Sequence, residues 1–439
     1  MEKNEIISIL NDWNFWKEEL DTGFPRQDYL QRLKDLAKTG QIVVVTGPRR
    51  AGKSYLMRQA AKDLFGQGIR REDILMINFE DPRWPKIDSA LLQKIFETYL
   101  EFLRPAIKPI LFLDEIQEVK EWEKWVLSIQ ERDKARLFLS GSNAKLLSRE
   151  LGTLLTGRHV KLTVLPLSFE EYLFFNGIIL KDSLDIVQKR IAIQSHLRSY
   201  LKEGAFPLVT LAEEKKPILF NYFEDIVTKD LVRRFKIRKT EQLKSLAKFY
   251  LNHPASQITF NSIEKFLKIT ADTIEKFSGY FEEVYLFFFV KRYTRKPKEE
   301  EKSPRKLYPV DSGLANAVGT SPTPNWGRLA ETVVFLELTR RRLQNPDQEI
   351  FYWKDPQHRE VDFCIREERN ITQLIQVCWN LNHPKTKERE LKSLLKALNE
   401  LNLKKGLIIT EEEEKTENIG DKEVQYEPLW KWLLDLFVE

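Results

Sequence analysis

The sequence predicts an α/β chain in which a parallel sheet with crossover helices comes first and a second α/β domain comes last. Three observations carry this reading. Short apolar runs at 42–45, Ile74–Phe79, Ile110–Leu113 and Leu137–Leu139 are separated by helical patterns, the alternation a parallel sheet requires. From about Ser168 to Arg238 the pattern is almost wholly helical (SFEEYLFF, DIVQKRIAIQSHLRSYLKE, LFNYFEDIVTKDLVRRF). From about Ser321 mixed patterns return: helix RLAETVVFLELTRRR, strands EIFYWK, EVDFCIR and TQLIQVCW, helix TKERELKSLLKALNEL and strand KGLIIT. The expected domains are 1–166, 167–238, 239–318 and 319–439, a division that suits 439 residues.

Bulk composition narrows the class. With 42% hydrophobic and 31% charged residues the chain can bury real cores beneath a well-solvated surface. Lys and Arg number 71 against 66 Asp and Glu, a net charge of +5 that tolerates an acidic partner without requiring one. The two cysteines, Cys364 and Cys378, are not spaced as a zinc site, and the five histidines are scattered. The opening MEKNEIISIL is too charged for a signal peptide, and the longest apolar run, VYLFFFV at 284–290, reads as a strand. A cytoplasmic protein with no membrane partner is expected.

The most specific stretch is QIVVVTGPRRAGKSYLMRQAAK. It holds Gly47, Pro48, Arg49, Arg50, Ala51, Gly52, Lys53, Ser54 and Tyr55, between a β-branched strand and a helical pattern free of Gly and Pro until Gly66. A strand, a glycine-bearing turn and a helix N-terminus surround an anion with backbone N–H groups, and the helix dipole favours negative charge there. In G-x-x-x-x-G-K-S the lysine reaches the β- and γ-phosphates of a nucleotide and the serine hydroxyl ligates Mg²⁺. Arg49 and Arg50 either add charge near the phosphates or anchor the loop to neighbouring carboxylates. Downstream, PILFLDE ends a second apolar strand in Asp114 and Glu115. There an Asp holds Mg²⁺ and an adjacent Glu polarises the attacking water. ATP and Mg²⁺ are therefore the expected ligands, and the fold class is a P-loop NTPase sheet.

GPRRAGKS, INFEDPR, LFLDEIQ, LFLSGSNAKLLSRE, LLTGR and PLSFEEYL, in this order, resemble the AAA+-type ATPases of archaea and bacteria. In these an ATPase module precedes a winged-helix segment and a C-terminal restriction-endonuclease-like domain. The resemblance continues through YLKEGAFPLV, KLYPVDSGL and REVDFCI, and so covers nearly the whole chain. It implies that Asn78 restrains the catalytic glutamate, with a solvated strand end as the other reading. It implies that Ser142 and Asn143 are sensor residues near the γ-phosphate, with a helix N-cap as the alternative. It matches Arg158 to a recurrent arginine that, in a ring of subunits, approaches a neighbour's γ-phosphate.

Residues 240–293 follow the order of a winged helix, with KLYPVD as the hairpin partner of VYLFFFVKRY and RKPKEEEKSPRK as a mobile loop or hairpin tip. Between Lys229 and Lys306 the basic residues exceed the acidic by nine, more than in the whole chain. The third helix, ADTIEKFSGYFEE, is too acidic to read bases in the major groove. A backbone contact to DNA through Lys291, Arg292, Arg295 and Lys296 is the better version, beside a purely structural winged helix. In the C-terminal domain the resemblance places a nuclease-like site at Glu331, Asp362, Gln376 and Cys378. Active members need clustered carboxylates and a lysine; Gln376 and Cys378 supply neither, so a degenerate fold is favoured unless Lys354 or Arg359 substitutes. The leading expectation is an Mg²⁺-dependent ATPase, monomer or homo-oligomeric ring, coupled to the later domains and acting on or near DNA. The alternatives are an ATP-regulated DNA nuclease using Glu331 and Asp362, or a nucleotide-gated scaffold.

Overall fold

The computed structural model describes residues 1–142, 157–321, 323–381 and 384–434, and the chain divides into two compact units. The first is Met1–Val164 with Glu283–Tyr285; the second is Leu165–Glu282 with Leu286–Glu439.

The first unit opens with α1 (Lys3–Trp13) and α2 (Gln27–Ala37) and then alternates: β1 (Ile42–Thr46), α3 (Lys53–Gly66), β2 (Ile74–Asn78), α4 (Ser89–Leu103), β3 (Ile110–Asp114), α5 (Trp122–Glu131), β4 (Arg136–Gly141) and β5 (His159–Thr163). The five strands pair in parallel in the order β2-β3-β4-β1-β5. Successive strand residues point to opposite faces, and both faces are covered. Ile42, Val44, Leu111 and Leu113 pack against α1, α4 and α5, while Val43, Val45, Ile110 and Phe112 pack against α2 and α3. This explains why the strands read as unbroken apolar runs. At the β2 edge the outward backbone groups are taken by side chains. The Asn14 amide donates to Met76 O (2.8 Å) and accepts from Met76 N (2.7 Å). Trp16 Nε1 donates to Ile74 O (3.0 Å) and Trp84 Nε1 to Asn78 O (2.9 Å).

The second unit begins with α6 (Phe169–Phe175), entered through a capping box of Ser168 and Glu171, then α7 (Ser183–Glu203), α8 (Pro207–Leu211) and α9 (Lys215–Asp225), which runs on as a π-helical stretch, Ile226–Arg233. Next come α10 (Thr240–Asn252), β6 (Ser256–Ile258), α11 (Phe260–Leu267), α12 (Ala271–Glu283), β7 (Phe287–Val290), α13 (Pro297–Lys302) and β8 (Arg305–Pro309). The three strands form an antiparallel sheet in the order β6-β8-β7. The charged stretch expected as a mobile loop or hairpin tip does join β7 to β8, but it carries α13. Pro297 stands in the first turn of that helix with Glu299 and Glu300, all suited to a helix N-terminus.

After α14 (Ser312–Val318) and α15 (Trp326–Gln344) a mixed sheet follows in the order β13-β14-β12-β11-β10-β9. Its strands are β9 (Gln348–Lys354), β10 (Glu360–Glu367), β11 (Asn370–Val377), β12 (Lys405–Thr410), β13 (Lys415–Ile419) and β14 (Lys422–Pro428); α16 (Pro384–Glu400) and α17 (Leu429–Leu434) complete the unit. One core draws on α6, α7, β8, α15 and this sheet: Tyr200, Tyr308, Phe335 and Phe363 belong to it, with Tyr308 stacked on Phe335 at 4.3 Å. The segments expected as three domains thus cluster as one unit, because their apolar faces close on each other. Among the described residues no helix is long and apolar enough to cross a membrane.

Candidate functional site

The loop after β1 is shaped by backbone that most side chains avoid. Gly47 has φ 138° and Gly52 φ 94°, and Arg50 also lies at positive φ. At Gly47 the space is closed as well: a Cβ would fall 2.0 Å from the carbonyl oxygen of Val164. Lys53 opens α3 and is only 4% exposed. Its ammonium donates to the carbonyls of Gly47 (3.2 Å) and Pro48 (3.0 Å) and lies 3.7 Å from Glu115 Oε1. Of the two readings for Arg49, the anchoring one fits: its guanidinium pairs with Glu80 at 2.7 Å. Tyr55 points outward, 42% exposed, with its hydroxyl donating to Asp21. Beneath the loop, buried Arg26 donates to Ala51 O (2.9 Å), and Gln59 holds the backbone of Thr22, Phe24 and Arg26.

Asp114 closes β3, and Glu115 turns the chain sharply at φ 54°. Both are buried. Asp114 accepts hydrogen bonds from the hydroxyls of Ser140 and Ser54, and Glu115 N donates to Ser140 Oγ at 3.1 Å. Burial, reinforced by the negative charge of Glu115, pushes the Asp114 carboxyl above its ordinary value against the pull of those hydroxyls and Lys53. Gln117 donates to Glu115 Oε2. The serine of LFLSGSN that meets the acid pair is therefore Ser140; Ser142 is buried one residue beyond β4, and Asn143 lies outside the described residues. Asn78 stands beside Asp114 in the strand register, but its Oδ1 accepts from Glu80 N at 2.8 Å, the bond of a local turn. Arg158 immediately precedes β5, level with Ile42, whose N–H it accepts, and pairs with Glu131 at 2.6 Å. The loop leaves the other end of β1, about 13 Å away along the strand.

In the second unit Glu331 (α15), Glu360 and Asp362 (β10) converge on a lysine that sequence reading did not select. Lys306 Nζ lies 2.7 Å from an oxygen of each, and the residue is 2% exposed. Tyr308 donates to Glu331 at 2.7 Å, and burial together with Asp362 raises the Glu331 carboxyl to about 8. Gln376 donates to Glu390 (2.7 Å) and accepts from Asp362 N (3.2 Å); Cys378 is buried and its thiol is pushed up to about 12. The two cations considered as substitutes are engaged elsewhere, Lys354 with Gln257 and Arg359 with Asp355. Among the described residues no group of three or more His, Cys, Asp or Glu is arranged to hold a metal ion.

The expected basic surface is largely neutralised from within. Lys291 pairs with Glu300 and Glu301, Lys296 with Glu299, and Arg292 donates to Lys354 O, while Arg295 is exposed. The acids of α13 supply three of these contacts, and they belong to the stretch expected as a mobile loop or hairpin tip.

A phosphate loop between β1 and α3, facing an Asp-Glu pair at the end of β3, one strand beyond β4 in the same sheet, defines a P-loop domain of the AAA class. The family described as "AAA domain" matches residues 39–173, and two families described as domains of unknown function, DUF8612 and DUF4143, match 194–324 and 326–432. The chain is 36% identical over 411 residues to the uncharacterized protein MJ1544 of Methanocaldococcus jannaschii, covering 90% of this chain and 88% of that one. It is 33% identical over 366 residues to an uncharacterized protein of Haemophilus influenzae, covering 81% and 87%. The chain belongs to the AAA-domain protein family that these two relatives represent. Among solved structures, the Walker-type ATPase PABY2304 of Pyrococcus abyssi matches at 12% identity over 67% of this chain and 96% of that one, with a TM-score of 0.45. AMPPCP-bound DnaA of Aquifex aeolicus matches at 13% identity over 53% and 70%, with a TM-score of 0.26.

Proposed function

We propose that this chain hydrolyses ATP with the help of Mg²⁺ and passes its nucleotide state to the second unit, acting on or near DNA. The observation that carries the reading is the convergence of Lys53, Ser54, Asp114 and Glu115 at the ends of β1 and β3. The loop fits a polyphosphate: Gly47 leaves no room for a side chain, so the backbone itself must line the cradle. Ser54 and Asp114 already share a hydrogen bond and offer the two oxygens a Mg²⁺ ion takes from this kind of site. When bound, Mg²⁺ neutralises charge on the β- and γ-phosphate oxygens. Lys53 supplies a fixed positive charge to the same oxygens. Glu115, held by Gln117 and by its own N–H on Ser140, is placed to orient and deprotonate a water.

The route out of the first unit begins beside this loop. Val164 N donates to Thr46 O at 2.7 Å and the Val164 carbonyl abuts Gly47, so this last residue of the first unit's main segment forms part of the wall of the cradle. In the second unit the order helix, strand, helix, helix, strand, helix, strand, with a β6-β8-β7 sheet, supports the winged-helix reading. Although Lys291, Arg292, Lys296 and Lys306 are engaged within the unit, the net excess of nine basic residues between Lys229 and Lys306, with Arg295 exposed, is what supports a phosphate-backbone partner.

Steady-state ATPase assays test the reading. Lys53→Ala should lose binding and turnover, and Glu115→Gln should keep binding while turnover falls by about 10²- to 10⁴-fold. Turnover that persists in both variants sinks it. ATPase rates unchanged by any nucleic acid, with no DNA shift at low salt, favour the scaffold. Plasmid nicking in Mg²⁺ or Mn²⁺ that disappears in Asp362→Ala favours the nuclease.

A further inference from the structure

Buried carboxylates repel one another and lose hydration, so a group of them persists only with protons, a metal ion or a fixed cation among them. In the second unit that role falls to one side chain. Lys306 comes from β8 of the three-stranded sheet, whereas Glu331 comes from α15 and Glu360 and Asp362 from β10. The ammonium touches an oxygen of all three at 2.7 Å and is sealed from solvent. The other oxygen of Asp362 accepts from Val377 N at 2.9 Å, and Glu331 Oε1, the oxygen that meets Lys306, also accepts from Tyr308 at 2.7 Å, so each of these two carboxylates has a further donor that fixes it.

We propose that Lys306 is the resident cation of this cluster, occupying the position a divalent ion would take among Glu331, Glu360 and Asp362. The cluster is then a metal-free joint that ties β8 to α15 and β10, and its carboxylates are unavailable for metal-dependent chemistry while β8 stays in place. With the ammonium in place the carboxylates are not arranged to hold a metal ion; an uncharged side chain at 306 leaves three of them around one point, where closing inward on a divalent ion gives it a hard oxygen-donor set. The inference does not depend on the ATPase reading, and its test omits nucleotide so that the two fail separately.

The probe is Mn²⁺ alone, added to the nucleotide-free full chain, with bound ion counted by electron paramagnetic resonance and thermal unfolding followed in EDTA and in MnCl₂. The wild-type chain should bind no Mn²⁺ at this cluster and unfold at the same temperature in both. Lys306→Met should unfold earlier in EDTA, recover in MnCl₂ and bind one Mn²⁺ per chain that the wild type does not. Adding Asp362→Asn to it should remove both effects. Mn²⁺ binding by the wild-type chain that Asp362→Asn abolishes overturns the proposal. So does a folded Lys306→Met chain indifferent to Mn²⁺, or one that stays insoluble in EDTA and MnCl₂ alike while Lys306→Arg folds.

Discussion

Lys53 Nζ lies 3.7 Å from Glu115 Oε1, and the two side chains are only 4% and 11% exposed. The group expected to hold the γ-phosphate and the group expected to activate water are therefore already partners. A phosphate drawing on Lys53 competes with Glu115 for it. Glu115→Gln should accordingly bind ATP more tightly, by up to about tenfold, even as turnover collapses. A fluorescent ATP analogue titrated into both proteins measures this; equal or weaker binding in the variant means the pair does not compete.

Gly47→Ala inserts a methyl group where 2.0 Å separates it from Val164 O, at a φ of 138°. The loop or the chain at Val164 must move. A stability loss of about 1–3 kcal/mol is expected, together with loss of nucleotide binding. Chemical denaturation and ligand-induced thermal shift read the two effects independently. A variant that binds ATP normally contradicts the account of the cradle.

Asp81 offers a test of pH dependence. Its hydrogen bond from Arg83 holds the carboxyl well below its ordinary value of 3.8, and Trp13 Nε1 donates to it at 2.8 Å. A depressed folded-state value adds stability that is present above pH 3.8 and lost as the pH falls through the lower folded value. Asp81→Asn should cost about 1–3 kcal/mol at neutral pH, with the gap to wild type closing as the pH drops below 3.8. Urea unfolding at several pH values decides it; a gap independent of pH rejects the assignment.

Arg158 sits at the opposite end of β1 from its own loop and is paired with Glu131. Arg158→Ala should leave ATP binding by a single chain unchanged. If the chain assembles and Arg158 serves a neighbour's site, turnover should fall in the assembly while the low rate of dilute protein is unaffected. Sedimentation with and without ATP, run beside ATPase assays across protein concentration, separates the cases. Impaired ATP binding by dilute variant contradicts the geometry.

The first unit was legible because parallel strands buried on both faces leave continuous apolar runs, and the loop chemistry is confined to eight residues. Less could be read where the signal was short, polar or distant. Strand β6 is three residues long; in the β13–β14 hairpin, KTENI at the sheet edge has no fully buried residue, and KEVQYEP buries only Val424, Tyr426 and Pro428 among polar neighbours, so the apolar signal is short in both. Arg26 is an ordinary arginine in FPRQD until folding buries it under Ala51. Ser140 lies two residues before the serine the motif pointed to. Lys306 was one of nineteen basic residues in its stretch, and only the approach of β8 to β10 and α15 distinguishes it.

The side chains that cover the β2 edge also restrict how copies of this protein can meet. With Asn14 using both the N–H and the C=O of Met76, and Trp16 and Trp84 on the carbonyls of Ile74 and Asn78, that strand has little left to offer an incoming one. The parallel sheet of the first unit therefore cannot be continued from one molecule into the next through β2. A ring of these chains would have to be joined through other surfaces, and a segment released elsewhere in the molecule would find no template here on which to aggregate.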